Sequence, residues 1–467
     1  LENWLKTQSK LIWEIEEQLR SHYIDFQCNT DNKEIKDTFE YDQQYVRPLL
    51  KRYQNSFDNK YLESPFRMQL DPKTYSLLDK KIKNAFEIID AIEDETERDL
   101  ITLTEIPAPP FMEAERAEAF KEMFMEAGLD EVSIDEVGNV IAIRKGTIGG
   151  KIVVLDAHLD TVFPEGTNVK VVKKGDTLVA PGVGDDTRGL AMLLAIFKAM
   201  KKADVSTEAD VWFVGSVGEE GLGDLRGVKH LFRDGATKID SWISIDGGTV
   251  GRVNNAGLGS VRYKALFKGK GGHSWGAFGL ANPHHALGFA IKEFTENAKT
   301  FTDEGAKTSF NIGRIGGGTS VNSIPFESWM EVDMRSVDSG RLKEVEAIFK
   351  ESMETALKTY NNTGIDDEIS LELIKIGDRP SGELSLDTPL VQRAISATNL
   401  FGYKPSLTRG STNSNIPISM GIPAITIGRG GIGGGAHSLH EWWLNENGAE
   451  AIKLAMLLTA IEAGYVK

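Results

Sequence analysis

The chain of 467 residues holds a single cysteine, Cys28. One thiol cannot close an intramolecular disulfide, and it excludes a zinc site built on cysteines. No uninterrupted apolar stretch approaches the roughly 20 residues that a membrane-spanning helix needs. Basic residues are in the minority, 53 against 69 acidic ones, for a formal charge of −16. That balance disfavours nonspecific binding to nucleic acid and to anionic membranes. Internal repeats and low-complexity tracts are also absent. What is left, 40% hydrophobic and 26% charged residues, describes a soluble globular protein too long for one ordinary domain. A cytoplasmic setting suits the lone thiol. An exported form stays open, because many exported bacterial proteins lack disulfides and the first Met is Met68.

Four segments differ in character. Residues 1–75 begin with apolar residues at helical spacing (Leu5, Ile12, Ile15, Leu19) and continue into Asn-, Asp- and Tyr-rich sequence, which predicts a helical N-terminal extension. Residues 76–257 open with two helical stretches, "YSLLDKKIKNAFEIIDAIEDETERDLITLTEI" and "MEAERAEAFKEMFMEAGL", separated by the turn "PAPPF". Short β-branched and aromatic runs follow: "KIVVLDAHLD", "DVWFVGSVGEE" and "SWISIDGG". They read as strands buried on both faces, as in a mostly parallel sheet. Between the first two lies the helix "TRGLAMLLAIFKAMKK", with Asp186 or Thr187 as its N-cap. Residues 258–376 alternate polar and apolar positions and carry a long amphipathic helix, which predicts an inserted α+β domain. Residues 377–467 resume the α/β pattern. The fold class is α/β: a mostly parallel central sheet flanked by helices, plus the insert.

Ligands in open α/β sheets bind beyond the carboxyl ends of the strands, and each predicted strand carries metal-type side chains there. "DAHLDT" delivers His158 and Asp160, "APGVGDDTRG" delivers Asp185 and Asp186, "GEEG" delivers Glu219 and Glu220, and "SWISIDGG" delivers Asp246. After a glycine-rich loop, "AHSLHEWW" adds His437, His440 and Glu441. Each motif alone has a plainer reading, Asp186 as a helix cap and Asp246 as a turn residue. Adjacent Glu219 and Glu220 are harder to explain structurally, since two carboxylates repel unless a cation relieves them. Together the motifs read as a metal site.

In this order, "HLDT", "GDD", "GEEG", "DGG" and "HSLHE" resemble the co-catalytic zinc amidohydrolases, the family of peptidase T, carboxypeptidase G and succinyl-diaminopimelate desuccinylase. The insert resembles the lid and dimerisation domain of that family through "GKGGHSW", "SVNSIP" and "DMRS". The resemblance covers roughly residues 76–467. It implies two zinc ions per chain, with Co2+ or Mn2+ as substitutes, bridged by Asp185. His158 and Asp246 would complete one site, Glu220 and His437 the other, with His440 the alternative ligand in "HSLHE". Asp160 would orient the His158 imidazole, and Glu219 would be the general base. His273 in the lid would stabilise the oxyanion, reaching the other subunit of a homodimer. Asn322 and Arg335 would hold the substrate, Arg335 as a fork for a carboxylate. One departure stands out in "GSTNSN": Asn413 occupies a position where relatives often carry an acid.

The activity so implied is hydrolysis of amide bonds in small peptides, most like a di- or tripeptide aminopeptidase. Its rival on the same fold is an N-acyl-amino-acid amidohydrolase or carboxypeptidase; from another class, a catalytically silent peptide-binding protein. His230, His284, His285 and the Trp442–Trp443 pair read as structural.

Overall fold

A computed structural model describes residues 79–363 and 367–466. The extension expected over residues 1–75 lies outside the described residues. Three helices come first, α1 (Lys80–Ala91), α2 (Glu93–Thr104) and α3 (Ala114–Glu126). The first helical stretch of the sequence is thus two helices. The chain breaks at Ile92, whose φ/ψ of −102°/16° ends α1 and begins α2. Glu93, Asp94 and Glu95 then fill the first turn of α2, where the helix dipole favours acids.

Strands β1 (Val132–Ile134), β2 (Val140–Arg144), β3 (Ile152–His158), β4 (Asp210–Ser216), β5 (Ser241–Ile245) and β6 (Arg252–Gly257) follow, with α4 (Thr187–Lys202) between β3 and β4. The chain then builds the insert: β7 (Gly259–Lys268), α5 (Pro283–Thr302), β8 (Thr308–Gly317), β9 (Glu327–Ser336), α6 (Ser339–Asn361) and β10 (Ser370–Arg379). It returns through β11 (Gly382–Glu383), α7 (Pro389–Leu400), β12 (Ser406–Gly410), β13 (Ala424–Ile427) and α8 (Gly448–Glu462).

The central sheet has nine strands in the order β1-β2-β4-β3-β5-β13-β6-β11, with β12 also beside β6. Its middle four, β4, β3, β5 and β13, run parallel, and antiparallel pairings flank them. Their runs of buried Val, Leu, Ile and Trp are what a sheet covered on both faces requires. Because the four are parallel, their carboxyl ends share one edge.

The insert forms a second sheet, β8-β9-β7-β10, antiparallel throughout. Strand β10 is the member that sequence alternation did not announce. Strand β9 alternates strictly: Ser328, Met330, Val332, Met334 and Ser336 are buried, whereas Glu327, Trp329, Glu331, Asp333 and Arg335 are only partly so. The buried face packs with Phe294 of α5 and Phe349 of α6 into a core of its own. Asp333 and Arg335 therefore lie on the open face. No helix among the described residues is long and apolar enough to cross a membrane.

In the main core, Phe124 of α3 meets Phe120 of the same helix, Phe197 of α4 and Phe213 of β4, and Phe197 meets Phe213, with ring centroids 5.1–5.9 Å apart. Phe213 is fully buried. Removing that ring forfeits its burial and leaves a cavity between α3 and α4, so Phe213→Ala is expected to cost about 3–5 kcal/mol. A lowered urea midpoint at unchanged slope is the readout. An unchanged midpoint would show that the cluster does not support the sheet.

Candidate metal centre

The site is built at the carboxyl ends of β3, β4 and β5 and in two loops. His158 closes β3. Its Nδ1 faces the Asp160 carbonyl oxygen at 2.9 Å, so Nε2 turns to the site and lies 3.2 Å from Asp185 Oδ1. The Asp160 carboxylate stands farther from Nδ1, at 3.6 Å. Instead it accepts the backbone N–H groups of Glu219 and Glu220 at 2.9 and 2.8 Å. Asp160 thus orients the imidazole mainly through its carbonyl, while its carboxylate fixes the two glutamates.

Asp185 is set by Glu441, a buried carboxylate that accepts the N–H of Gly182, Gly184 and Asp185 at 2.8–2.9 Å. Gly184 leaves room for this, since a Cβ there would sit 2.6 Å from an Arg429 nitrogen and 3.0 Å from Glu441. Asp186 precedes α4 but makes no side-chain cap. Its Oδ2 accepts the His158 N–H at 3.2 Å, and the Asp185–Asp186 peptide is cis. His437, at a positive φ of 65° after the glycine-rich loop, reaches Glu220 Oε1 at 3.0 Å and Asp185 Oδ2 at 3.2 Å. His440 makes no such approach.

Three sets of ligand atoms therefore lie within 4.8 Å of one another: His158–Asp185–Asp246, His158–Glu219–Glu220 and Asp185–Glu220–His437. Asp185 belongs to two of them. Glu219 sits beside both, its carboxylate taking a bond from Arg379 at 3.1 Å.

The electrostatics fit a cation here. Burial pushes Glu219 up to about 8, with Arg379 opposing and Glu220 reinforcing. Burial and Asp185 raise Asp246, and burial raises Asp186 well above the carboxylate range. Burial acts downward on His158, yet Asp160, Asp185 and Asp186 hold it well above its usual value. Hydrogen bonds to Asp185 and Glu220 lift His437 to about 10. Asp185 falls instead, held down by both histidines against its burial, and Asp160 is lowered as well, against its own burial, by His158 and two backbone N–H groups. The carboxylates outnumber the positive charge that Arg379, Arg429 and Arg252 bring to them, as the raised Glu219, Asp186 and Asp246 show. A mixed imidazole and carboxylate set of this kind suits zinc and similar divalent ions.

These groups open on a cleft of about 260 Å³ that is also lined by Ser411, Thr412 and four arginines, Arg252, Arg262, Arg335 and Arg379. Of these the sequence singled out Arg335 alone. Arg379 ends strand β10 of the insert, 160 residues from Glu219, and Arg262 sits at an ordinary partly exposed strand position. Neither carried a signal. His273 and Asn322 are brought together in the insert by a short antiparallel pairing of residues 272–273 with 323–324, where Ser274 N–H bonds the Asn322 carbonyl at 3.0 Å. Both are exposed and neither lines the cleft. Asn413 is buried beneath the site and donates to Asp156 and Ser216 at 2.9 and 2.7 Å.

Comparison with known proteins agrees with this geometry. An uncharacterized protein of Bacillus subtilis strain 168, YqjE, is 25% identical over 348 residues, covering 71% of this chain and 89% of YqjE. Aminopeptidase PepT from Bacillus cereus superposes with a TM-score of 0.62 at 23% identity, over 79% of this chain and 98% of that one. The di-peptidase Dug1p from Saccharomyces cerevisiae gives 0.65 at 16% identity, over 82% and 98%. Residues 1–89 match a model described as Peptidase M3 N-terminal domain. Residues 154–460, well over half of the chain and spanning every proposed metal ligand, match the model of peptidase family M20/M25/M40, and the chain belongs to that family of hydrolases.

Proposed function

We propose that the protein is a zinc-dependent exopeptidase that hydrolyses the amide bond of di- and tripeptides. The observation that carries this reading is the convergence of His158, Asp185, Glu220, Asp246 and His437 at one sheet edge, with Glu219 beside them and Arg335 lining the same cleft. PepT is named an aminopeptidase and Dug1p a di-peptidase, which supports the same class. Two zinc ions, for which Co2+ or Mn2+ can substitute, would be held by His158 and Asp246 on one side and by Glu220 and His437 on the other, with Asp185 between. When bound they supply Lewis acidity and bring the pKa of water near neutral.

The chain's own groups do the rest. Glu219 takes the proton of the attacking water and passes it to the leaving nitrogen. Arg379 holds one oxygen of Glu219 and Asp160 holds its backbone, so the base points into the cleft without searching rotamers. Arg335 forks a carboxylate of the peptide. The insert, expected over residues 258–376 and carried by β10 to Arg379, would act as a lid and pair with a second copy, bringing His273 to the partner's site. Trp275, Phe278 and Val321, each at least 87% exposed near His273 and Asn322, supply apolar area for such a contact. A second reading, amidohydrolase or carboxypeptidase, is favoured by one feature: the cleft offers arginines for a carboxylate but no acid outside the metal set for a free amine.

Metal analysis tests the division of labour. Glu219→Gln should keep its zinc yet lose about 10²–10⁴ in kcat, whereas His158→Ala should lose zinc as well. Equal metal loss in both would mean that base and ligand are exchanged.

A free tripeptide set against its N-acetylated form separates the two substrate readings. Cleavage of the acetylated peptide alone would overturn the aminopeptidase assignment. For the dimer, Trp275→Ser with Phe278→Ser should shift light scattering from two chains to one. A monomeric wild type would remove the pairing.

A further inference from the structure

The four arginines of the cleft are unequally engaged. Arg379 is committed to Glu219, bonding its carboxylate and its carbonyl. Arg252 bonds the Asp246 carbonyl at 3.0 Å and Asn254 at 3.2 Å. Arg262 and Arg335, by contrast, share one carboxylate. Asp333 accepts Nε of Arg262 at 2.9 Å and Nε of Arg335 at 2.7 Å, so two positive charges meet one negative.

Their remaining donors are largely unspent. Arg262 gives Nη1 to the Gly221 carbonyl at 2.7 Å. Its Nη2, and both Nη atoms of Arg335, have no hydrogen-bond partner among the described residues. Strand register produces this pair. Arg262 of β7 stands opposite Asp333 of β9, and Arg335 follows two residues on, on the same open face. Gly377 on the neighbouring strand keeps room for the Arg262 side chain, because a Cβ there would lie 3.1 Å from its Cδ. On the other side of Arg335 a second cleft of about 370 Å³ is lined by Lys307, Ser309 and Arg409, and by no carboxylate.

We propose that Arg262 and Arg335 form a clamp for two carboxylates on one residue, so that the residue released on the lid side is acidic. The proposal rests on the peptidase reading and adds the substrate class. A single carboxylate needs only the fork of Arg335. A neutral side chain beside it would leave donors of Arg262 desolvated and without an acceptor, whereas a second carboxylate takes charge-assisted bonds from both guanidinium groups.

The test uses the zinc-loaded full chain and two nearly isosteric dipeptides, Ala-Glu and Ala-Gln. A charge-assisted bond converts to a preference of about tenfold or more in kcat/KM for Ala-Glu. Arg262→Met should cut that preference to below about threefold, and Arg262→Lys, which keeps the charge, should restore part of it. Calorimetry on metal-free protein supplies a readout independent of turnover: glutarate should bind about tenfold more tightly than butyrate. Hydrolysis of both dipeptides at equal kcat/KM would overturn the clamp and leave the peptidase reading standing. Hydrolysis of neither would overturn the peptidase reading, and the clamp then stands or falls on whether glutarate outbinds butyrate.

Discussion

The site depends on one buried charge. Asp160 has no solvent exposure, yet its carboxylate is held below the usual range: burial acts upward, and His158 with the N–H groups of Glu219 and Glu220 more than offset it. Nearby, Arg116 of α3 is equally buried and donates to the carbonyls of Leu159 and Ile106 at 2.7 and 2.6 Å. Asp160 opposes the burial that lowers Arg116 to about 10. An ionised carboxylate without such partners would be prohibitive in this position. The arrangement locks the end of β3 to the turn after β4, and it places a histidine and two glutamates with one group. The backbones of Glu219 and Glu220 are then fixed by hydrogen bonds to a buried carboxylate, which gives them little freedom to drift.

The insert reaches the same turn. Arg379, at the end of β10, bonds the carboxylate and carbonyl of Glu219, and Arg262 of β7 bonds the carbonyl of Gly221. Asp224, just beyond, accepts the Asp378 N–H at 2.9 Å. Placement of the insert and orientation of Glu219 are therefore one mechanical problem. Any displacement of the insert as a rigid body would carry both arginines off the turn and change the charge felt by Glu219 in the same motion.

How much of this was legible depended on whether a residue broke a local rule. His158, the paired glutamates and Asp246 stood out because apolar strands ended in ligand-type side chains, where any turn residue would have served. Helix α4 was legible for the opposite reason, since its apolar periodicity was unbroken. The same continuity concealed the break at Ile92, because helical spacing persists across a single residue that leaves the helical region. Arg262 and Arg379 broke no rule. Charged residues on the open face of a strand are commonplace, and only the pairing of β7 with β9 and β10 shows which of them converge. Glu441 was noticed for its spacing from His437, but its task of holding three backbone N–H groups can be seen only in three dimensions.

Asn413 shows how a departure from a family pattern can be read physically. Beneath the site Asp156 of β3 accepts from Ser216 of β4 at 2.6 Å, from Ser244 of β5 at 2.9 Å and from Asn413 at 2.9 Å. Burial pushes this carboxyl up to about 6, against the pull of all three donors. An acid at 413 would set a second negative charge against it in a region without solvent, which is the costliest place for like charges. The amide supplies N–H instead. The three strands tied together are those that deliver His158, Glu219 with Glu220, and Asp246 within four residues of the knot. A shift of any one strand by a fraction of its rise would break a bond in this network as it displaced the site residue that strand carries. The polar knot therefore sets the spacing of the site from below, as Asp160 sets it from the side, and position 413 belongs to that scaffold, not to the surface that meets substrate.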